Sequence, residues 1–181
     1  MKIIETEISD LLVIEPQIYL DDRGYFCESF KKNTIDSKLS YEFNVEQENE
    51  SKSNYGVLRG LHFQTGEMAQ SKLVRVIQGK VLDLALDLRV SSPTFGQYFT
   101  IMLCDKNRKQ LFIPKGFAHG FLTLEDNTIF SYKVDNAYSP ESESGIDPFD
   151  TDLNINWTID KSLMILSDKD KNQQSLKEFL K

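Results

Sequence analysis

Only two histidines occur in this 181-residue chain, and one of them stands in a setting suited to proton chemistry. His62 lies in GVLRGLHFQ, three positions after Arg59, with Gly56 and Gly60 allowing close approach of the backbone to another segment. Lys72 follows ten residues later in QSKLVRV. A histidine base with a lysine nearby suits deprotonation beside a carbonyl, because the ammonium stabilises the enolate oxygen as negative charge develops. A lone histidine is more often a surface residue or a satisfied core residue, so the neighbours give His62 its weight. With His119 as the only other imidazole, three histidines cannot meet on a metal within one chain, which leaves two histidines plus a carboxylate as the metal alternative.

Tyr132, in FSYKV, offers a proton donor or a core ring: alternation along a strand sends Phe130, Tyr132 and Val134 to one face and Ser131 and Lys133 to the other. Asp168 and Asp170 in LSDKDK are ordinarily solvated loop acids, and either can instead orient a histidine. Arg23 in DDRGYF and Arg59 are the candidates for gripping phosphate, since a guanidinium presents paired donors to phosphate oxygens; surface ion pairing is the alternative for each. No G-x-G-x-x-G follows a strand and no P-loop lysine is present, which removes local support for a nucleotide-cofactor enzyme or an NTPase.

These groups must be held by strands. From residue 55 to about 135 the chain reads as short β-rich runs, KLVRVIQG, KVLDLALDLRV, QYFTIMLCD, KQLFIP, HGFLTLE and TIFSYKV, separated by Gly, Pro, Asn and Asp. Such spacing predicts a sandwich or barrel. VLDLALDL sets Val81, Leu82, Leu84, Leu86 and Leu88 against Asp83, Ala85 and Asp87, so one face meets a core and the polar face can line a ligand cavity inside a barrel mouth. Residues 31–42 are expected to form a short helix, SLKEFLK a helical tail, and AYSPESESGIDPFDTD a surface loop beside the site.

Length and 40% hydrophobic content predict one domain spanning residues 1–181. A net charge of −7 argues against nucleic-acid binding, which needs cations to neutralise phosphates. Cys27 and Cys104 are too isolated for a disulfide framework or zinc knuckle, and no run reaches about 18 apolar residues. The expectation is a cytoplasmic protein with no membrane partner.

DDRGYFCESF, QENESKSNYGVLRGLHFQ, QSKLVRVIQGKVLDLALDLRVSSPTFGQY, NRKQLFIPKGFAHGFLTL, the Tyr132 segment, YSPESESGI and LSDKD together resemble the dTDP-4-dehydrorhamnose 3,5-epimerase family across nearly the whole chain. The resemblance implies a mainly β fold, a cupin-like double-stranded β-helix (jelly-roll barrel) with short peripheral helices. It also implies a homodimer, no metal or other cofactor, and a dTDP-4-keto-6-deoxyhexose substrate. Carried over by motif, it makes His62 the proton acceptor, Tyr132 the donor on the opposite sugar face, Lys72 the group near the enolate and Asp170 the acid that holds His62, with Asp168 the less favoured alternative. Arg23, Glu28, Gln47, Asn49, Arg59, His119, Glu143 and Lys169 match substrate-contacting positions. Tyr19 stands where phenylalanine is common, and Glu48 and Glu50 flank the matched Asn49, departures that bear on substrate identity more than on reaction type. An epimerase acting at only C3 or C5, a non-catalytic sugar-nucleotide binder and a cupin metal oxygenase are the competing readings.

Overall fold

A computed structural model describes residues 1–181. In chain order the elements are β1 (Lys2–Glu5), β2 (Leu12–Glu15), β3 (Ile18–Asp21), β4 (Gly24–Cys27), α1 (Lys32–Asp36), β5 (Gln47–Ser53), β6 (Leu58–Gln64), β7 (Lys72–Gln78), β8 (Lys80–Asp87), β9 (Tyr98–Cys104), β10 (Gln110–Ile113), β11 (Phe117–Thr123), β12 (Thr128–Val134), β13 (Glu143–Gly145), α2 (Asp168–Lys171) and α3 (Leu176–Phe179). The six runs predicted between residues 72 and 134 are β7 to β12. They enter two facing sheets, one ordered β1-β2-β10-β7-β12-β5 and the other β13-β6-β11-β8-β9, while β3 and β4 pair as a separate hairpin.

Alternation decides what lies between and outside the sheets. On β8, Val81 lies with Ala85 and not with the leucines of its sequence grouping, since residues two apart share a face, and both join Val74, Phe121 and Phe130 in the core between the sheets. The opposite face, Leu82, Leu84 and Leu86, is covered by the C-terminal segment through Leu153, Trp157, Leu176 and Phe179. Both faces of β8 are therefore buried, and Asp83 and Asp87 are fully inside with them. A third cluster, in which Phe43 meets Phe112 edge-on at 5.1 Å, seals Ile35 of α1 against the six-stranded sheet.

β6 and β11 approach backbone to backbone. A Cβ on Gly60, whose φ is +130°, would lie 2.5 Å from the Cα of Gly120, so no larger residue fits. The register is irregular between His119 and Phe121, yet His62 and His119 are direct cross-strand partners.

Three expectations change in detail. The helix predicted over 31–42 spans only Lys32–Asp36, because the Asp36 carboxylate accepts the Phe43 N–H at 2.9 Å and draws the chain back on itself. Within the loop predicted at 137–152, Glu143–Gly145 form β13 by pairing with the free edge of β6. The segment before residue 55, where the β-rich runs place no strand, supplies five of them; on β5 the alternation is wholly polar, and Gln47, Asn49 and Ser51 are half-buried while the residues between them are exposed.

The β3–β4 hairpin leaves Tyr19, Leu20, Tyr25 and Phe26 exposed. Both cysteines are free, and no helix is long and apolar enough to cross a membrane.

Leu84 is fully buried where the barrel meets its C-terminal cover. Leu84→Ala is expected to lower unfolding free energy by about 2–5 kcal/mol. Urea unfolding followed by circular dichroism measures this directly; a loss below about 0.5 kcal/mol, the range of an ordinary surface change, would show that the C-terminal cover contributes little.

Candidate active site

Two adjoining lobes of one cleft, about 310 and 330 Å³, open between the sheets, and His62, Lys72 and Tyr132 line both. These volumes are at the lower end of those that hold small ligands. His62 projects from β6 of the five-stranded sheet; Lys72 and Tyr132 project from β7 and β12 of the six-stranded sheet. The base candidate and the donor candidate thus stand on opposite walls.

Behind His62 lies Asp170. Its Oδ1 is 2.6 Å from Nε2 of His62, with the carboxylate off the N–H axis, so the pair is a close electrostatic contact more than a linear hydrogen bond. The same carboxylate accepts the Gly60 N–H at 3.4 Å and the Ser167 hydroxyl at 2.6 Å. Ser167 caps α2 by accepting the Asp170 N–H, which sets the acid at the start of that short helix. Burial pushes the Asp170 carboxyl up, but the contacts from His62, Ser167 and Gly60 outweigh it and hold the group below the usual carboxylate range. Asp168 has a side chain 96% exposed and paired with Lys171, so of the two acids only Asp170 meets His62.

Lys72 is buried, and its Nζ reaches the carbonyl oxygen of His62 at 3.5 Å. Desolvation pulls its pKa down to about 8, against the opposing pull of Glu143 and Asp83. Tyr132 is pushed up, first by burial and then by Glu143, with Arg59 acting in the other direction. A phenol shifted that way stays protonated at neutral pH.

The remaining predicted residues divide into two groups. Arg59, His119 and Lys169 line the first lobe, Gln47, Asn49 and Glu143 the second. Arg59 is steered by Nε donation to Ser53 at 3.2 Å, His119 by Asp83 at 2.9 Å, and Gln47 donates to Asn49 at 2.6 Å. Glu143 pairs with Lys169 and accepts the Tyr138 hydroxyl at 2.6 Å, closing the rim. Arg23 and Glu28 do not line the cleft of their own chain: Arg23 is 90% exposed on the β3–β4 turn beside Asp21, and Glu28 pairs with Lys31.

The sequence model of the dTDP-4-dehydrorhamnose 3,5-epimerase family matches residues 5–178. The chain belongs to that family. The enzyme of that name from Escherichia coli K12 is 47% identical over 181 residues, covering 100% of this chain and 97% of the relative. Among solved structures, the dTDP-4-dehydrorhamnose 3,5-epimerase of Elizabethkingia anophelis superposes with a TM-score of 0.95 at 44% identity, over 98% of this chain and 97% of that one. A dTDP-6-deoxy-D-glucose-3,5-epimerase from Legionella pneumophila, crystallised with dTDP-4-keto-L-rhamnose, gives 0.92 at 44% identity over 97% and 93% of the two chains.

As a dTDP-4-dehydrorhamnose 3,5-epimerase family member the chain is an isomerase with the cupin-like jelly roll that its sequence resemblance implies. Several of its cleft residues were not singled out from sequence. Ser51 continues the period-two stripe begun by Gln47 and Asn49; Ser167 is the capping serine three residues before Asp170; Tyr138 carries no local signal and is placed by the fold. The flanking acids Glu48 and Glu50 turn out of the cleft, because alternation along β5 gives the inner face to Asn49. Glu48 instead pairs with Lys133 at 2.6 Å, so these two departures do not alter the cleft lining.

Because the Asp170 carboxyl is held below its ordinary value of 3.8, folding gains stability from it above that value and loses the gain as pH falls through the lower, folded-state value. Thermal melts between about pH 2 and 7 should therefore show a steeper acid loss for the parent protein than for Asp170→Asn. Parallel curves would mean that Asp170 titrates alike in the folded and unfolded chain.

Proposed function

We propose that this chain, as a single domain over residues 1–181, inverts C3 and C5 of dTDP-4-dehydro-6-deoxy-D-glucose to give dTDP-4-dehydro-L-rhamnose, without a metal or redox cofactor. One observation carries the reading: a histidine backed by a buried carboxylate and a half-buried tyrosine face one cleft from opposite sheets, with a buried lysine on the tyrosine's sheet. The Legionella relative bound to a dTDP-4-keto sugar supports the ligand class.

A ketone at C4 acidifies the protons on C3 and C5. His62 removes one; Asp170, close to Nε2, favours the proton there and leaves Nδ1 as acceptor, and stabilises the imidazolium that forms. The Lys72 ammonium stabilises the enolate oxygen, its burial letting a fixed charge act strongly. Tyr132 then returns a proton from the other wall, and delivery from the opposite face is what inverts the carbon. Proton transfer alone completes the reaction, and no group of three or more His, Cys, Asp or Glu side chains gathers in the chain to hold a metal ion.

Arg59, with its Nε tied to Ser53, is suited to the diphosphate. Arg23 and Glu28 reach substrate from a second copy of the chain: in a cytoplasmic homodimer, the exposed apolar hairpin that carries Arg23 packs on the partner and brings both residues to the partner's cleft.

His62→Ala should fold and lose both epimerisation and C–H exchange, a fall of at least about 10²-fold in kcat. Tyr132→Phe separates the two steps. His62 still abstracts and can return the proton from the original side, so solvent deuterium enters C3 and C5 while inversion falls. Deuterium uptake and product stereochemistry measured in one reaction test this; inversion at the parental rate in Tyr132→Phe would return the ring to a packing role. Prolonged chelation should leave the parental rate unchanged, and activity restored only by a divalent ion would overturn the metal-free mechanism.

A further inference from the structure

Asp83 has no part in the steps above, yet it is a fully buried carboxylate behind His119, which lines the cleft. Alternation on β8 sends it to the inside of the barrel with Val81 and Ala85. Its Oδ2 lies 2.9 Å from Nε2 of His119, while Oδ1 is buried without a hydrogen-bond partner. Asp87, four residues along the same strand and equally buried, is different: Arg89, Ser92 and Thr94 satisfy both its oxygens. A buried carboxylate oxygen without a donor is costly, and an apolar residue of similar size would cost less. Something near Asp83 must gain from its charge.

Two groups do. His119, packed on the Phe130 ring and lining the cleft, has Asp83 as its only hydrogen-bond partner. Lys72 is the other. The charged and titratable groups that line the cleft with it are His62 and Arg59 from β6, His119 from β11, Tyr132 from β12, Tyr138 before β13, Glu143 from β13, and Lys169 and Asp170 from α2. Among the carboxylates, Asp170 is engaged by His62 and Ser167, and Glu143 by Lys169 and Tyr138. Of these carboxylates, only Asp83 has an oxygen that is both buried and without a partner.

We propose that Asp83 is a positioning residue, which holds His119 in the tautomer protonated at Nε2 and provides the fixed negative charge that keeps the buried Lys72 ammonium charged. The second half rests on the reading of Lys72 as the enolate stabiliser. A carboxylate only accepts, so the His119 nitrogen facing it must carry the proton, leaving Nδ1 as acceptor. The field acting on Lys72 is in keeping with its balance of forces, in which desolvation is opposed by Glu143 and Asp83.

Asp83→Asn keeps the size and removes the charge. Taking an anion away from an ammonium lowers its pKa, so the basic limb of the kcat profile should move to lower pH, by about one unit, equivalent to about a tenfold smaller charged fraction above the limb. KM should change little, and Asp83→Glu should recover part of the lost rate. Thermal melting must show the variant folded at the assay temperature. Imidazole ¹⁵N NMR supplies a readout apart from activity, since the chain has only two histidines: Asp83→Asn should redistribute the His119 tautomers and leave His62 signals in place.

A basic limb unmoved in folded Asp83→Asn, or an activity loss that tracks the unfolded fraction, would overturn the proposal. So would an unchanged His119 spectrum. Failure of the underlying reading is recognised separately, by Lys72→Ala turning over at the parental rate.

Discussion

Asp170 is the carboxylate on which the rest of the cleft depends. It is drawn out of water at the first turn of α2 and compensated by three partners: the Ser167 hydroxyl and the Gly60 backbone N–H, which donate to it, and the His62 ring in close electrostatic contact. A buried charge is tolerated only when such partners meet it. Satisfying this acid therefore docks α2 against β6, a contact more than a hundred residues apart in sequence, and with it brings Lys169 to Glu143 across the rim. The interaction that orients the imidazole also fastens the end of the chain to the barrel.

The same low-dielectric interior gives the other cleft groups their chemistry. Lys72 is pulled down to about 8 by burial, and Tyr132 is pushed up by it, opposite shifts with one cause, since in each the charged form loses hydration. The nearby carboxylates moderate the lysine's loss, leaving it largely cationic at neutral pH. The cost in folding free energy is borne by three apolar clusters, between the sheets and on their outer faces.

The β3–β4 hairpin follows a different logic. Its aromatic residues face solvent, and Arg108 stacks over Tyr25 at 3.6 Å without covering the patch. An exposed apolar surface of this kind marks an interaction site. Residues matched to substrate contact, Arg23 and Glu28, lie on or just after it, away from their own chain's cleft, which agrees with the proposed contribution of a second copy.

Much was determined by residue type and spacing. The β-branched and aromatic runs between residues 72 and 134 specify strands, and period two along β8 and β12 already assigns Asp83 and Tyr132 to faces, because the pleat allows no other choice. The LRGLHFQ and LSDKD motifs bring the candidates to attention, and family resemblance gives them roles. Polar β5 carries no hydrophobic alternation, so its strand exists only through pairing with β12. Residue type alone left Asp168 and Asp170 open, and resemblance favoured Asp170; the Ser167 cap, the helical turn after it and the Gly60 N–H that Asp170 accepts point one acid inward and the other to solvent. Which residues share a strand face is local information. Which faces meet across a barrel, and which carboxylate sits behind which histidine, depends on long-range packing that fixes distances and desolvation together, and that was decided by the tertiary structure alone.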